Sequence, residues 1–87
     1  MRNAAYYHTR RRLRQRYGVG LKRTNYIRLC REIARLLPCL NVIPIHSQRV
    51  IVMFPHGGRV VRWVFCTVAH LIITALPLNR GYDWESM

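Results

Sequence analysis

The stretch Gln48-Arg49-Val50-Ile51-Val52-Met53-Phe54, followed by Pro55-His56-Gly57-Gly58 and then by Arg59-Val60-Val61-Arg62-Trp63-Val64-Phe65-Cys66, decides the fold. Both flanks are rich in β-branched and aromatic side chains, which suit a pleated, half-buried surface. The Pro, His and two Gly between them supply turn chemistry, so strands over 48–54 and 59–66 are expected to pair as an antiparallel hairpin. Downstream, 67–70 reads as a second turn, with His70 most simply a turn residue, and 71–76 as a closing strand. Upstream, 40–45 reads as a further strand, which Pro44 confines to a sheet edge or a bulge because it cannot donate to a ladder.

Before Pro38 the periodicity changes from two to about 3.6. Tyr6, Arg10, Leu13 and Tyr17 recur at helical spacing, with His8, Arg12 and Arg16 as a second stripe, so a helix is expected over about 3–17. Gly18 and Gly20 break it. Thr24 is the expected N-cap of a second helix over about 24–37, in which Ile27, Cys30, Ala34 and Leu37 would pack on the sheet and Arg28, Arg31 and Arg35 would face outward. The expected fold class is α+β, two N-terminal helices packed on a four-stranded, mainly antiparallel sheet. Residues 1–77 form one basic domain in this reading and 78–87 a tail that holds Asp83 and Glu85.

At 87 residues the chain buries one modest core and is too short for a large substrate cavity. Fifteen Lys and Arg against three acids give a net charge of +12, a surplus that repels itself unless a polyanion neutralises it. Nearly all the cations are Arg, whose planar fork matches phosphate and base edges. Eleven of them precede Pro38, where Glu32 is the one acid. Arg10, Arg11, Arg14, Arg16, Lys22, Arg23, Arg28, Arg31 and Arg35 are therefore the expected nucleic-acid contacts. Tyr6, Tyr7, Tyr17 and Tyr26 lie among them; any exposed ring could stack a base, a role assigned to Tyr17, while packing in the core is the simpler role for at least two. RNA is a more natural partner here than DNA.

Cys30, Cys39 and Cys66 show no C-x-x-C pair and no zinc spacing, and no cofactor or metal is expected. Cys30, on an apolar stripe, reads as core rather than nucleophile. Arg stands where a secretory signal needs its apolar stretch, so a cytoplasmic protein is expected. The run 63–78 carries no formal charge and approaches the length of a membrane span, roughly 17 residues, but its Val, Ile, Thr and aromatic content suits buried strands better, so a membrane partner is not expected.

Two motifs carry a family resemblance: His8, Arg12, Arg16, Tyr17 and Gly18 as H-x-x-x-R-x-x-x-R-Y-G, and Thr74 to Pro77 as a closing T-A-L-P, with Ser47 and Arg49 as an S-x-R strand start between them. This order resembles small phage and bacterial proteins related to the barnase, EndoU, colicin and RelE group of ribonuclease toxins. The resemblance covers most of residues 6–77. It implies helices before a four-stranded antiparallel sheet and toxin-like cleavage of RNA. The family often carries V-V-Y-D before its final turn, where this chain has Val64, Phe65, Cys66 and Thr67; without that carboxylate, fold and RNA surface could persist with weak or no cleavage.

Metal-free RNA cleavage needs a base for the 2′-hydroxyl, cations beside the developing pentavalent phosphate and an acid for the leaving oxygen. With three acids in all, the chain lacks the carboxylate cluster of a two-metal nuclease. The candidate catalytic set is His8 as acid or base, Arg12 one turn later, Arg49 and Arg62 as phosphate cations, and Ser47 and Thr74 as hydrogen-bonding positions. Arg62 shares a strand face with Val60 and Val64. The plainer alternative is that His8 is a solvated surface residue and that His46 and His56 serve turns or packing. Two functions are thus open: a toxin-like metal-independent ribonuclease or translation inhibitor, and a non-catalytic phage or mobile-element inhibitor of a host nucleoprotein complex, or a ribosome-associated protein. An antitoxin-like protein partner fits either.

Overall fold

The computed structural model describes residues 3–77, so the expected tail 78–87 lies outside the described residues. Helices α1 (Asn3–Tyr17) and α2 (Arg23–Leu36) are followed by a 3-10 turn, Leu37–Cys39, and by strands β1 (Val42–His46), β2 (Arg49–His56), β3 (Arg59–Cys66) and β4 (Leu71–Leu76). The sheet is antiparallel throughout, in the order β1-β2-β3-β4. The fold is therefore α+β, with both helices N-terminal to a four-stranded sheet.

The central hairpin is tighter than the sequence suggests. Pro55 and His56 belong to β2, where they pair with Val60 and Arg59, and the turn is Gly57-Gly58 alone. Both glycines have positive φ, 62° and 79°, as a two-residue hairpin turn with right-handed strand twist demands. Thr67 to His70 close the second hairpin, with His70 at φ 59°, a region that His tolerates better than bulkier residues. Pro44 lies on the edge strand β1, beside a register irregularity that falls between Pro44 and His46.

Val52, Val61, Trp63 and Phe65 point to the helices and are fully buried, as are Leu13, Ile33 and Ile72. Each such side chain contributes about 1.5–3 kcal/mol by leaving water. Both helices present a different stripe from the expected one. On α1, Thr9 rather than Arg10 lies between Tyr6 and Leu13 in the core, and Arg10 is exposed. On α2 the buried stripe is Tyr26, Leu29, Cys30 and Ile33, whereas Ile27 is 44% exposed. Lys22, not Thr24, occupies the α2 N-cap position, and no side chain caps that end.

Polar ties explain these rotations. Tyr6 donates its hydroxyl to the Leu21 carbonyl at 2.8 Å, Tyr26 to Ile72 at 2.9 Å and Tyr17 to Leu76 at 2.7 Å. Thr9 Oγ1 also reaches the Ile72 carbonyl at 3.4 Å, and the Ile72 N–H donates to Cys30 Sγ at 3.3 Å. The outer edge of β4 is thereby satisfied by helix side chains instead of a fifth strand, which removes a template for strand addition. The uncharged run 63–76 supplies the last strands and their turn. Among the described residues no helix is long and apolar enough to cross a membrane.

Candidate nucleic-acid interface

Buried Tyr6, Thr9, Leu13 and Tyr17 turn one side of α1 inward, and helical periodicity leaves Tyr7, Arg10, Arg11 and Arg14 outward, all of them exposed. The α1–α2 loop and the start of α2 add Lys22 and Arg23. A cleft of about 510 Å³ lies between these segments, lined by Arg10, Arg14, Lys22 and Arg23, with Gly20 and Asn25 at its side. A smaller depression of about 380 Å³ continues across Tyr7, Arg10, Arg11 and Arg14. Four cations around one opening with no acid in its lining make a strongly anion-attracting surface.

Of the four tyrosines among the cations, Tyr7 is the exposed one, although the stacking role is expected of Tyr17. The Tyr7 ring is 48% exposed and lies 4.9 Å from that of buried Tyr6, tilted by 56°. The Arg23 guanidinium sits 5.1 Å from the Tyr6 ring centre and 5.9 Å from that of Tyr7. These distances fall within cation–π range and hold Tyr7 in place beside the cleft. The i, i+1 pair Tyr6-Tyr7 carried the signal: once Tyr6 is assigned to the core, Tyr7 must face out. Tyr17, expected as the stacking ring, is 4% exposed and sits in the core. Its hydroxyl both donates to Leu76 and accepts the Arg62 N–H at 3.1 Å, so it has no face to offer a base.

Along the flank of α1, His8, Arg12 and Arg16 form a half-buried stripe, as their spacing requires. Arg12 donates to Gln15 Oε1 at 3.1 Å, and Arg16 donates to the Ala75 carbonyl at 2.8 Å, which commits part of its guanidinium to the edge of β4. Burial lowers the pKa of His8 below its ordinary value of 6.5, and Arg12, Arg11 and Arg16 lower it further by repelling a second positive charge nearby. His8 is therefore neutral at pH 7. That suits a base, which must accept a proton, and not the acid.

The remaining candidates do not converge on His8. Arg62 is 7% exposed, and its guanidinium donates to the Pro77 carbonyl at 3.3 Å; its charge serves the end of β4 and is not presented to solvent. Arg49 pairs with Cys66 and Arg62 with Met53, so they stand four residues apart along the strands, about 13 Å, and the Arg62 guanidinium is turned to the Pro77 carbonyl. Ser47 is exposed in the β1–β2 turn beside Arg49. Thr74, half-buried, pairs with Val64, two residues from Arg62. Arg16 and Arg62 thus meet at the end of β4, while Arg12 bonds within its own helix and Arg49 and Ser47 lie at the far end of β2.

Arg28, Arg31 and Arg35 are exposed along α2, as expected. Arg35 pairs with Glu32 at 3.7 Å, an exposed contact of small energetic value. His46 Nδ1 lies 3.4 Å from the Gln48 N–H in its turn, and His56 Nε2 lies 3.1 Å from the Gly20 carbonyl and packs near Trp63. Cys30 is buried, and burial raises its thiol pKa, leaving it neutral and unreactive. Among the described residues no cluster of three or more His, Cys, Asp or Glu is placed to hold a metal. Set against known protein families, curated proteins and solved structures, the chain matches none.

Proposed function

We propose that the protein binds RNA through the outer face of α1 and the start of α2. The observation that carries this reading is the cleft ringed by Arg10, Arg14, Lys22 and Arg23 with the half-exposed Tyr7 ring beside it. Cations alone would serve any polyanion. A ring held next to them supplies a stacking platform that an unpaired base can use and a duplex cannot, so single-stranded or looped RNA is the substrate that fits. Fluorescence anisotropy with a labelled single strand and a duplex of equal length tests it. The single strand should bind more tightly, and Tyr7→Ala should weaken it about tenfold, since stacking is worth about 1–3 kcal/mol per base. Equal affinity for the two forms, unchanged in Tyr7→Ala, would defeat the reading.

Cleavage is a second reading, favoured by His8, a histidine kept neutral within reach of Arg12 on the same helix face. In it His8 takes the 2′-hydroxyl proton and Arg12 stands by the phosphate, and the leaving oxygen takes its proton from water; among the described residues the charged groups acting on His8 are arginines, which do not give up a proton. Incubation with RNA in excess EDTA decides between a toxin-like ribonuclease and a binder that blocks a nucleoprotein complex. Cleavage lost in His8→Ala supports the enzyme. Intact RNA, with binding retained in His8→Ala, supports the binder.

A further inference from the structure

Behind the basic cleft, α2 continues for three turns, and its outer side meets the β3–β4 turn in a separate opening. This slot has a volume of about 470 Å³, within the range of roughly 300–1,000 Å³ usual for small-ligand sites. Its walls are apolar: Ile27 and Ala34 from α2, Leu71 from β4, with Cys30 among the lining residues. Tyr26, its hydroxyl committed to the Ile72 carbonyl, lines it too, and Arg31, Arg35 and His70 complete the lining.

Three features of the slot need explaining together. Ile27 is 44% exposed on a helix whose other large apolar residues are inside, so the opening keeps an apolar wall in contact with water. Arg31 and Arg35, one turn apart, both stand at this wall, two cations against the single carboxylate of Glu32, which lies 3.7 Å from Arg35. His70 occupies the left-handed region at φ 59°, and its ring stacks on Phe65, 6.4 Å between centres and 9° between planes. That stacking fixes a flat polar ring at the mouth of the slot. An apolar cavity with cations at one side matches a ligand that is flat and weakly polar at one end and doubly anionic at the other.

We propose that this slot is a nucleotide subsite, taking an unpaired nucleobase between Ile27 and Leu71 and its phosphate at Arg31 and Arg35. The inference rests on the RNA-binding reading and extends it along α2. Arg23, at the cleft, and Arg31, at the slot, lie eight residues apart, about 12 Å along the helix axis. At about 3.4 Å per stacked nucleotide, three to four nucleotides bridge them. One strand entering at Tyr7 and the cleft would thus deliver a base to the slot a few residues on. The walls offer no hydrogen-bonding pattern that matches one base edge, so the subsite accepts purines and pyrimidines alike.

The test uses the full chain with ¹³C-labelled Ile and Leu methyls and titrates adenosine monophosphate, adenosine and inorganic phosphate separately. Saturable shifts of the Ile27 and Leu71 methyls with the monophosphate, and weaker ones with either fragment, are expected. Arg31→Gln with Arg35→Gln should weaken that binding about a hundredfold, the loss of two charge-assisted contacts. Ala34→Leu, which fills the slot without changing charge, should abolish it while anisotropy shows the cleft still binding single-stranded RNA. No shift with the monophosphate, or an equal shift with inorganic phosphate alone, overturns the subsite. A labelled RNA titration keeps the two proposals apart: shifts around Tyr7 without shifts at Ile27 reject the slot alone. A chain that binds the monophosphate at Ile27 but no RNA upholds the slot and rejects the RNA reading.

Discussion

His8 sits beside Arg11, Arg12 and Arg16, and burial and those charges together hold its pKa below 6.5. A group whose folded pKa is depressed in this way binds protons more readily when unfolded. Stability is therefore complete above pH 6.5, falls as the pH drops below that value, and levels off once the folded pKa is passed. An NMR titration should place the His8 midpoint below 6.5. Arg12→Gln should move it upward, and so should a bound phosphate, whose negative charge favours the imidazolium. A midpoint at or above 6.5 in the free protein would contradict the environment described. At Tyr17 the hydroxyl joins two groups, the Leu76 carbonyl and the Arg62 N–H. Tyr17→Phe leaves both without that partner and should cost about 1–3 kcal/mol in chemical denaturation, with the fold retained.

The elements were legible from local pattern, and their rotation was not. Alternation of Val and aromatic residues about Gly57-Gly58 placed β2 and β3, and Pro44 placed β1 at an edge, because turn and strand chemistry is written within a few residues. Whether Arg10 or Thr9 faces the core depends on β4, sixty residues later, where the Ile72 carbonyl accepts from Thr9. The same distance hid the fate of Arg62. Its face was readable from strand alternation, but its depth and its bond to Pro77 were not. Of the expected contacts, those on the outward sides of the helices stay outward, because a run of Arg without acids can only be solvated. For α1 itself, Arg10 and Arg14 are one turn apart and repel. Replacing both by Gln should raise thermal stability slightly, by roughly 0.2–0.5 kcal/mol, as read from circular dichroism melting at low salt. RNA affinity should fall in the same variant. Loss of both quantities together would mean that the helix, and not its charge, had been damaged.

For the molecule as a whole, cations far outnumber acids, and most stand on the two helices, while the sheet contributes Arg49, Arg59 and Arg62. Binding in the cleft should therefore depend steeply on ionic strength. Four cations neutralising single-strand phosphates give a slope of about −3 in log affinity against log salt, at about −0.7 each. The Arg10→Gln, Arg14→Gln variant should halve that slope, measured by anisotropy between low and moderate salt. A slope near zero would mean that the charge faces away from the ligand.

The tip of the central hairpin rests on the loop that joins the helices. A Cβ built on Gly57 would stand 2.6 Å from Val19 Cγ1, and His56 Nε2 lies 3.1 Å from the Gly20 carbonyl. Gly20 and Lys22 belong to the cleft, so Gly57 and His56 at the tip of a sheet hairpin back the loop that lines a surface formed by helices. Gly57→Ala should lower stability by about 1–3 kcal/mol through its positive φ. By pushing Val19 aside, it should also loosen the grip on RNA although no charge and no stacking ring has been touched. The shape of the cationic cleft is in that sense set from the opposite half of the chain, and if the proposed RNA binding holds, its affinity can be tuned without changing a single residue that meets the ligand.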